Sequence, residues 1–451
     1  MKRQALRLRR PDQQGAALII TLWVALGLVA LGLYFGQSMS LELRASENRV
    51  ASLAADHAIV GAVRYVGSLL NTNTTTWGTL PDRLSYREEA VALGDAHFWL
   101  IGRDSQTASP TEPYFGLVDE SSKLNLNTAT IDMLEALPLM TPEIAAAIID
   151  WRDTNSDITT GGAEDDTYLR FNPPYHCKNA DFETVDELRL VSGMTLALLY
   201  GEDSNLNGVM DPNENDGTNL APTDNRDGKL DPGFWEYLTV YSRQPNTNAD
   251  GTVRVILTAP NSRQGLQSLL NDKLGQSRAN EIVRRLGPPN RPIGSPLELF
   301  ITGAMTTSEF SLIEDSLTTT NGAFAKGLVN INTASQAVLT CIPGIGVDKA
   351  ASVVAYRQAN AGNLTTVSWI ASVLDQASAI QAGPYITGRT FQFSADIAAV
   401  GKQGRGFRRQ RFVFETSSGV PSILFRQDLS HLGWPLGRRT RQNLPTLASI
   451  P

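Results

Sequence analysis

The chain has 451 residues, of which 42% are hydrophobic and 19% charged, so most of it can fold around hydrophobic cores. Its 39 basic and 46 acidic residues give a formal net charge of −7, which argues against a protein whose main task is to neutralise phosphates. Four histidines and two cysteines exclude a disulfide-dense scaffold and a four-cysteine zinc site. No nucleophile–base pair or carboxylate dyad stands out, so we assign no catalytic residues and expect a protein that is not an enzyme.

The N-terminus joins a basic leader to an apolar segment. Residues 1–15 carry five basic residues against one aspartate, and residues 16–36 (AALIITLWVALGLVALGLYFG) contain no charge. At about 1.5 Å per residue, a helix of this length spans the hydrocarbon core of a bilayer. The basic flank predicts that the leader stays in the cytoplasm and that the bulk of the chain lies on the other side. On hydropathy alone, a plain signal anchor is an equal interpretation.

Gly15, between the leader and the apolar segment, resembles the cleavage site of a type IV prepilin. The resemblance implies that a prepilin peptidase cuts after Gly15 and N-methylates Ala16, and that the apolar segment continues into a periplasmic helix ending near residue 70. Ala16 departs from the commoner phenylalanine. Ile20 holds the fifth mature position, where most pilins and pseudopilins have glutamate. Absence of that glutamate is a feature of the minor pseudopilin family GspK of type II secretion.

Two segments that lie 205 residues apart repeat one another. They begin LNLNTATIDMLEALP at Leu124 and VNINTASQAVLTCIP at Val329, and each predicts an Asn-Thr cap, a short helix, a tight turn and a second helix. A weaker copy begins at Val253. These are helix-hairpin-helix units, and they resemble the two all-α insertions of GspK proteins. The acidic chain favours a structural role for these units. Phosphate binding through the turn at 343–346 (PGIG) is the alternative.

The sequence flanking the repeats is rich in strand formers. Five segments predict β-strands: 89–103, 114–118, 389–400, 406–416 and 421–431. We place four arginines on an exposed face of this sheet, in preference to a nucleic-acid patch: Arg405, Arg408, Arg409 and Arg411.

The predicted fold class is α+β. An N-terminal transmembrane and pilin-like helix precedes an antiparallel β-sheet, with two inserted all-α helix-hairpin-helix (SAM-like) domains. The predicted segments are the leader 1–15, the helix 16–70, the first part of the sheet 71–123, the first insertion 124–202, a calcium-binding connection 203–252, the second insertion 253–385, the C-terminal strands 386–432 and a flexible tail 433–451.

Residues 203–214 (DSNLNGVMDPNE) fit the calcium-loop pattern D-x-[DN]-x-[DN]-G-x₅-E at every defined position. Hard oxygen donors at alternate positions are the ligands that Ca²⁺ prefers. The predicted ligands are Asp203, Asn205, Asn207, the carbonyl of Val209, Asp211 and Glu214. A partial second loop predicts a weaker calcium site at Asn225, Asp227, the carbonyl of Lys229 and Asp231. No glutamate closes this second loop, so Asp224 or Asp216 would have to contribute.

Cys177 and Cys341 are the two cysteines of the chain. An oxidising compartment permits a disulfide between them, and two free buried thiols are the alternative. His176 beside Cys177 admits a zinc site, although no further soft ligands accompany the pair.

The leader, the missing glutamate, the paired hairpins and the calcium loop together resemble the GspK family over residues 10–431. The resemblance implies a minor pseudopilin at the tip of the type II secretion pseudopilus, which initiates or caps its assembly for protein export across the outer membrane. It further implies a single pass through the inner membrane, with the bulk of the chain in the periplasm. The implied partners are minor pseudopilins I and J, other pseudopilus subunits, the assembly platform, prepilin peptidase and membrane lipid, with no nucleic acid. The alternative is a membrane-tethered helix-hairpin-helix protein for DNA binding and uptake.

Overall fold

The computed structural model describes residues 14–72, 77–103, 112–248, 250–259, 262–442 and 444. Gly15 and Ala16 lie in the first turn of the first helix, and leader residues 1–13 lie outside the described chain. The helices are α1 Gln14–Thr72, α2 Ile131–Glu135, α3 Pro142–Arg152, α4 Asp165–Tyr168, α5 Leu196–Tyr200, α6 Phe234–Tyr237, α7 Ser262–Leu274, α8 Gln276–Arg285, α9 Pro296–Thr302, α10 Thr307–Ser311, α11 Gln336–Thr340, α12 Gly346–Ala359, α13 Gln376–Ala382 and α14 Gly437–Gln442. The strands are β1 Val91–Leu93, β2 Ala96–Ile101, β3 Val118–Asp119, β4 Leu124–Asn125, β5 Leu238–Thr239, β6 Arg243–Pro245, β7 Val255–Ile256, β8 Leu317–Thr318, β9 Phe324–Lys326, β10 Val329–Asn330, β11 Ile386–Thr387, β12 Gln392–Val400, β13 Phe407–Glu415 and β14 Ser422–Asp428.

Helix α1 has two parts with different surroundings. Large apolar side chains from Leu18 to Leu43 are more than half exposed. Further along the helix, Ala55, Ala62 and Val66 are buried against the rest of the protein. Helix α1 is long and apolar enough to cross a membrane. The predicted long N-terminal helix is therefore confirmed, and its exposed apolar part fits a single-pass membrane anchor.

The main sheet is antiparallel, with the strand order β1-β2-β12-β13-β14, and β3 also pairs with β12. These strands coincide with the predicted strand segments. One face of the sheet packs on the second half of α1, where Phe98, Phe393 and Phe412 meet Ala58 and Val66. Side chains of alternate strand residues form this apolar face, as a half-buried strand requires.

The opposite face of the sheet is polar at Arg409 and Arg411, where the helical region covers it. Its other end is apolar and includes Trp99 and Val400. Arg409 is 0% exposed and Arg411 is 9% exposed. The prediction that these two arginines lie on an exposed face is therefore wrong, because strand alternation fixes which face a side chain is on but not what covers that face. Arg405 and Arg408 lie on the other side and pair with Glu47 and Asp56 of α1.

The helical region contains three repeats, each closed by two short parallel strands. We call them the first repeat (124–239), the middle repeat (255–318) and the last repeat (329–387). Their strand pairs are β4 with β5, β7 with β8, and β10 with β11. In each repeat the residue after the first strand donates its N–H to the last residue of the return strand, at 2.8, 2.8 and 3.0 Å: Leu126 to Thr239, Leu257 to Thr318, and Ile331 to Thr387. The weaker copy predicted from Val253 thus forms a repeat of the same design.

The three repeats share one continuous cluster of buried side chains. It includes Leu126 of the first repeat, Leu266 of the middle repeat and Ile331 of the last repeat. Phe234 and Trp235, which follow the candidate calcium loops, belong to the same cluster. The prediction of two inserted all-α domains is not confirmed, because the segment between them contributes to a common core.

Residues 434–442, predicted to belong to a flexible tail, pack against the sheet. The rings of Trp434 and Trp99 meet edge-to-face with their centroids 5.4 Å apart. Leu436 is buried, and Nε of Arg441 donates to the carbonyl of Gly404 at 2.9 Å. The prediction is wrong for this segment because its apolar residues find a surface on the sheet that local composition does not reveal.

Candidate metal site

The segment that carries both candidate calcium loops closes on itself at its base. The N–H of Glu202 donates to the carbonyl of Asp231 at 2.9 Å, and Gly201 forms an antiparallel bridge with Pro232. Gly201 has a φ of +66°, and a Cβ there would lie 2.3 Å from the Asp231 carbonyl oxygen. A Cβ on Gly233 would lie 2.3 Å from the backbone nitrogen of Gly201. Only glycine at both positions lets the two chain ends cross this closely.

The first predicted calcium loop folds around its two terminal carboxylates. Asp203 accepts hydrogen bonds from the N–H groups of Asn207 and Gly208 at 2.9 and 2.8 Å. Glu214 accepts the N–H of Asp211 at 3.0 Å. Asp203 and Glu214 are both buried, and Gly208 has a φ of +70°, as the sharp turn of such a loop requires. The first and last predicted ligands are thus both buried, and each accepts a backbone N–H group of the loop.

The oxygens of this loop carry unbalanced charge and one unmet hydrogen-bond acceptor. Burial, together with the charges of Asp203 and Asp211, raises the pKa of Glu214 to about 7. Oδ1 of Asn205 is buried and receives no hydrogen bond from the described residues. Among all the residues that the structure describes, no three His, Cys, Asp or Glu side chains are already arranged to hold a metal ion. The donor set suits Ca²⁺, which would neutralise the carboxylates once the loop closes around it.

The second predicted loop gathers its ligands in a more exposed turn. Nδ2 of Asn225 donates to Oδ2 of Asp231 at 3.0 Å, and Oδ1 of Asn225 accepts the N–H of Asp227 at 2.8 Å. Oδ1 of Asp227 accepts the N–H of Lys229 at 2.9 Å. Asp224 accepts the backbone N–H groups of Asp216, Gly217 and Arg226. Asp203 accepts backbone N–H groups in the same way, so the contribution of Asp224 as a ligand stays a prediction.

Glu202 links the two loops and was missed by the sequence analysis. Its carboxylate oxygens accept the N–H groups of Asn225 at 3.3 Å and Asp231 at 3.0 Å. Glu202 directly precedes Asp203, so one peptide bond joins the two candidate sites. The only signal in the sequence is an extra acidic residue immediately before the loop pattern, at a position that the pattern does not define.

The first loop is fixed to the sheet through its backbone. Nη1 of Arg409 donates to the carbonyl of Asn205 at 2.6 Å, and Nη2 donates to the carbonyl of Leu206. Nη2 of Arg103 donates to the same Leu206 carbonyl at 2.6 Å. Two arginines that the loop pattern does not include thereby determine where the loop sits.

The C-terminal segment reaches the same loop. Nδ2 of Asn207 donates to the carbonyl of Pro435 at 2.8 Å. Pro435 follows Trp434, which packs on Trp99 of the sheet. The loop, the sheet and the C-terminal segment therefore meet at Asn207, a predicted calcium ligand.

Asp119 joins the sheet to the last repeat. This buried carboxylate accepts hydrogen bonds from Nδ2 of Asn330 at 2.8 Å, Oγ1 of Thr333 at 2.6 Å and Oγ1 of Thr390. Burial raises its pKa, although the three donors act in the opposite direction. Asn330 and Thr333 belong to the Asn-Thr cap that the sequence repeats, so part of that repeated motif serves attachment to the sheet.

Glu120, the next residue, joins the sheet to the first repeat. Its carboxylate accepts hydrogen bonds from Oγ1 of Thr239 and from Arg411, the latter at 3.1 Å. Burial opposes ionisation, but the positive charges of Arg411 and Lys123 lower the pKa of Glu120. Two adjacent carboxylates at the end of β3 thus contact two different repeats.

The two hairpins identified in the sequence use one arginine in the same way. Arg357 donates to the carbonyls of Ile331 and Ala334 at 3.0 and 2.8 Å. Arg152 makes the same two bonds to the equivalent carbonyls of the first repeat. These guanidinium groups tie the second helix of each hairpin to its strand, so they serve the interior of the repeat.

The PGIG turn of the last repeat packs against α13. A Cβ on Gly344 would lie 2.3 Å from the carbonyl oxygen of Ser378. Lys349, one turn into α12, donates to Asp375 at 2.9 Å. The first glycine of the turn is therefore packed on the protein's own helix, which favours a structural role for this glycine, while Gly346 at the start of α12 has open space around it.

Two segments of the sequence match known protein families. Residues 117–200 match the family described as Type II secretion system (T2SS), protein K, and residues 325–373 match the helix-hairpin-helix motif. Type II secretion system protein K of Klebsiella pneumoniae is 23% identical over 194 residues, which cover 41% of this chain and 60% of that protein. The chain is thus similar in sequence to type II secretion system protein K over part of its length. It is matched over about 60% of the length of that curated relative.

A solved structure is also similar. The crystal structure of the GspK-GspI-GspJ complex from the enterotoxigenic Escherichia coli type 2 secretion system contains a chain with 11% sequence identity. The similarity covers 83% of this chain and 95% of that chain, with a TM-score of 0.40.

In this relative of protein K, the two cysteines do not form a disulfide. Cys177 and Cys341 are free and buried, in the first and last repeats respectively. Burial raises the pKa of each thiol to about 12, so neither is reactive near neutral pH. Of the two possibilities raised by the sequence, the structure therefore shows two free buried thiols and not a disulfide. Nδ1 of His176 faces Asp165 at 2.9 Å, as a surface hydrogen bond and not as part of a zinc pair with Cys177.

Proposed function

We propose that this chain is a minor pseudopilin at the tip of the type II secretion pseudopilus, where it initiates or caps assembly for protein export across the outer membrane. The observation that carries the proposal is helix α1, which joins an exposed apolar segment to a part packed on an antiparallel sheet, in a chain related to protein K. A helix with this division can sit in the bilayer at one end and hold a folded domain outside it at the other.

The proposed topology is a single pass through the inner membrane with the bulk of the chain in the periplasm. The five basic residues of the leader favour the cytoplasmic side for the N-terminus. Prepilin peptidase would cut between Gly15 and Ala16 and methylate the new amine. Ile20 would leave the fifth mature position without a carboxylate to neutralise the amine of a neighbouring subunit in the bilayer, which suits the end of a filament.

The proposed partners are minor pseudopilins I and J, together with other pseudopilus subunits, the assembly platform and membrane lipid. Helix α1 would pack beside the equivalent helices of the partners. The first repeat covers Arg409 and Arg411 on the polar part of the sheet, and the bulk of the three repeats would leave no room for a further subunit above. This is a structural role and needs no catalytic residue. DNA uptake is less supported, because the sequence matches are to a secretion-system protein and because Gly344 of the PGIG turn packs on α13.

The proposal is tested by assembly. The full-length chain is expressed in cells together with tagged subunits I and J of the same secretion system. The membranes are then solubilised in detergent, and the tagged subunits are purified. We expect this chain to co-purify with them as a ternary complex and to restore secretion in a strain lacking its own K subunit. Purification of an I–J pair without this chain, in a strain where it is expressed and folded, would contradict the proposal.

We further propose that Ca²⁺ binds the first loop, with a second ion in the turn at Asn225–Asp231. The support is the buried pair Asp203 and Glu214 and the unpartnered oxygen of Asn205. Binding is measured by hydrogen exchange of residues 203–214 with calcium or with a chelator. Exchange should slow in calcium for the wild type and for the exposed control Glu183→Gln, but not for Glu214→Gln. Equal slowing in Glu214→Gln would overturn the assignment of that ligand.

A further inference from the structure

A cavity of about 490 Å³ lies where the sheet, the first repeat and the last repeat meet. Lys123 and Trp235 line its floor and are buried, whereas Lys229 and Gln336 line its rim and are exposed. The cavity therefore opens to solvent at one end and reaches the interior of the protein at the other. Its volume lies within the range of about 300–1,000 Å³ that is usual for small-molecule sites.

Apolar side chains form much of the cavity wall. Leu117, Leu206 and Trp235 are buried there, and Leu230 and Ala337 are half-buried nearer the rim. A wall of this kind packs on the apolar body of a ligand, while a few polar groups fix its orientation.

Most charged groups of the lining already have partners within the protein. Arg103 pairs with Glu236 at 3.1 Å, and Arg357 donates to two backbone carbonyls. The remaining carboxylates each accept hydrogen bonds from the protein: Asp119, Asp203 and Asp231. These groups therefore shape the cavity without leaving a net charge uncommitted at its floor.

Lys123 is different. It is 3% exposed, its Nζ donates to the carbonyl of Trp235 at 3.2 Å, and it lies 4.6 Å from the centre of the Trp235 ring. No carboxylate of the described chain lies within 4.0 Å of this Nζ. Burial lowers the pKa of Lys123, and Glu236 and Glu120 oppose that shift only from beyond ion-pair distance. An ammonium group can donate three hydrogen bonds, and the protein accepts one of them.

The charge at the floor selects the kind of ligand. A buried cation without a paired anion is costly, and an anionic group beside it removes that cost. A carboxylate brings one negative charge, which matches the single uncommitted cation, Lys123. A phosphate would bring close to two charges, and a bare inorganic anion would leave the apolar wall without a contact.

We propose that this cavity binds a carboxylate carried on an apolar body, with Lys123 holding the carboxylate and Trp235 and Leu117 contacting the body. Small organic acids and the C-terminal residue of a polypeptide both present this chemistry. The inference goes beyond the filament role and does not rest on it. It also needs no metal ion, because the carboxylate is held by an ammonium group.

Binding is measured by isothermal titration of the full-length chain in detergent, with a chelator present, and N-acetyl-phenylalanine is the probe. A ligand of this size should bind with a Kd on the order of 1 mM or tighter. N-acetyl-phenylalaninamide has the same body without the charge and should bind about tenfold more weakly or worse. Absence of binding at about 10 mM acid, ten times the expected Kd, would overturn the proposal. Equal binding of the amide, or binding that requires added calcium, would overturn it as well.

Variants locate the ligand in the cavity. Lys123→Met should weaken binding of the acid about tenfold or more, since it removes a charge-assisted hydrogen bond. Lys229→Met removes the same charge from the rim, where the side chain is 60% exposed, and should change the Kd by about twofold or less. Equal Kd values for the wild type and a folded Lys123→Met would contradict the assignment.

A second variant keeps the test decisive if Lys123→Met fails to fold. Ala337→Phe places a ring in the cavity from the half-buried wall of α11 and should abolish binding of the acid. Circular dichroism verifies that the variant is folded. Unchanged binding in folded Ala337→Phe would place the ligand elsewhere and overturn the proposal.

A longer peptide distinguishes the two sources of the carboxylate. N-acetyl-Gly-Ser-Gly-Phe with a free C-terminus carries the same terminal residue as the probe. Binding as tight as that of N-acetyl-phenylalanine assigns the cavity to polypeptide termini. Binding about tenfold weaker, the loss expected when one good contact is replaced by a clash, assigns it to small acids.

Discussion

Arg409 and Asp396 form a buried ion pair between β13 and β12, with Nε–Oδ1 and Nη2–Oδ2 distances of 3.0 and 2.6 Å. The same guanidinium donates to the carbonyls of Asn205 and Leu206 in the first candidate calcium loop. The sheet therefore sets the position of the loop through its backbone carbonyls and not through the side chains of the predicted calcium ligands.

Replacing Arg409 tests this relationship. Arg409→Met would leave the Asp396 carboxylate buried without its partner and remove the donors to both loop carbonyls. Breaking a buried pair in this way typically costs about 3–5 kcal/mol. We expect the denaturation midpoint in urea, followed by circular dichroism, to fall accordingly, and calcium binding by residues 203–214 to weaken with it.

Arg408→Met is the matched control, one residue away on the same strand. Arg408 pairs with Asp56 at 2.7 Å at a site where both side chains are more than one-third exposed. An exposed pair contributes less than about 1 kcal/mol, so this change should barely alter stability. Equal losses for the two variants would contradict the special role of Arg409.

Leu139 gives a second prediction, because it occupies the hairpin turn of the first repeat in a left-handed conformation. Its φ is +62°, and the equivalent residue of the last repeat is Gly344, with a φ of +85°. A left-handed conformation costs a non-glycine residue about 1–2 kcal/mol, and replacement by glycine removes that cost. Part of the resulting stabilisation is lost, because glycine has more conformational freedom in the unfolded chain. Leu139→Gly should therefore raise stability by about 0.5–1 kcal/mol, measured as a higher thermal midpoint.

The control for Leu139 is another exposed leucine in an ordinary conformation. Leu312 is 55% exposed and follows α10 with a φ of −76°. Glycine there gains nothing from the backbone and should lower the thermal midpoint slightly. A fall in stability for Leu139→Gly of the same size would show that the turn is not strained.

The Arg278–Glu309 pair predicts a pH dependence in the middle repeat. Hydrogen bonding to Arg278 lowers the pKa of Glu309 from 4.5 to about 2. A carboxylate with a depressed folded-state pKa contributes stability that is complete above its unfolded pKa and is lost as pH falls towards the folded value. The free energy of unfolding of the wild type should exceed that of Glu309→Gln by about 1 kcal/mol at neutral pH, since solvent screens a pair that is partly exposed.

This difference should shrink between pH 4.5 and pH 2, the two pKa values of Glu309. Urea titrations across that range measure it directly. Glu183→Gln, whose side chain is 83% exposed in the wild type, is the control and should show no such trend. A wild-type advantage over Glu309→Gln that stays constant down to pH 2 would contradict the assignment.

Features set by local sequence were predictable. The long helix, the strands of the sheet and the hairpins follow from hydropathy, alternation and capping residues, which act over a few positions. The two candidate calcium loops were recognisable because their proposed ligands are spaced within twelve or fewer residues. The structure buries both Asp203 and Glu214, the two ends of the first loop.

Features set by contacts between distant segments were not predictable. Arg409 is buried because a loop some 200 residues earlier covers its face of the sheet, and alternation along β13 carries no trace of that cover. Trp434 packs on Trp99 although its own neighbours in sequence resemble a flexible tail. The continuity of the core through Trp235 likewise depends on how the three repeats dock, which no local pattern encodes.

The measurement that bears most directly on the central claim is the mass of the full-length chain expressed with and without a prepilin peptidase. A pseudopilin should lose residues 1–15 only when the peptidase is present, begin with N-methylated Ala16 and keep the apolar part of α1. Gly15→Arg should block the cleavage and serve as the control. An intact N-terminus in both cases, or cleavage beyond the apolar segment, would contradict the proposal that this chain enters a pseudopilus.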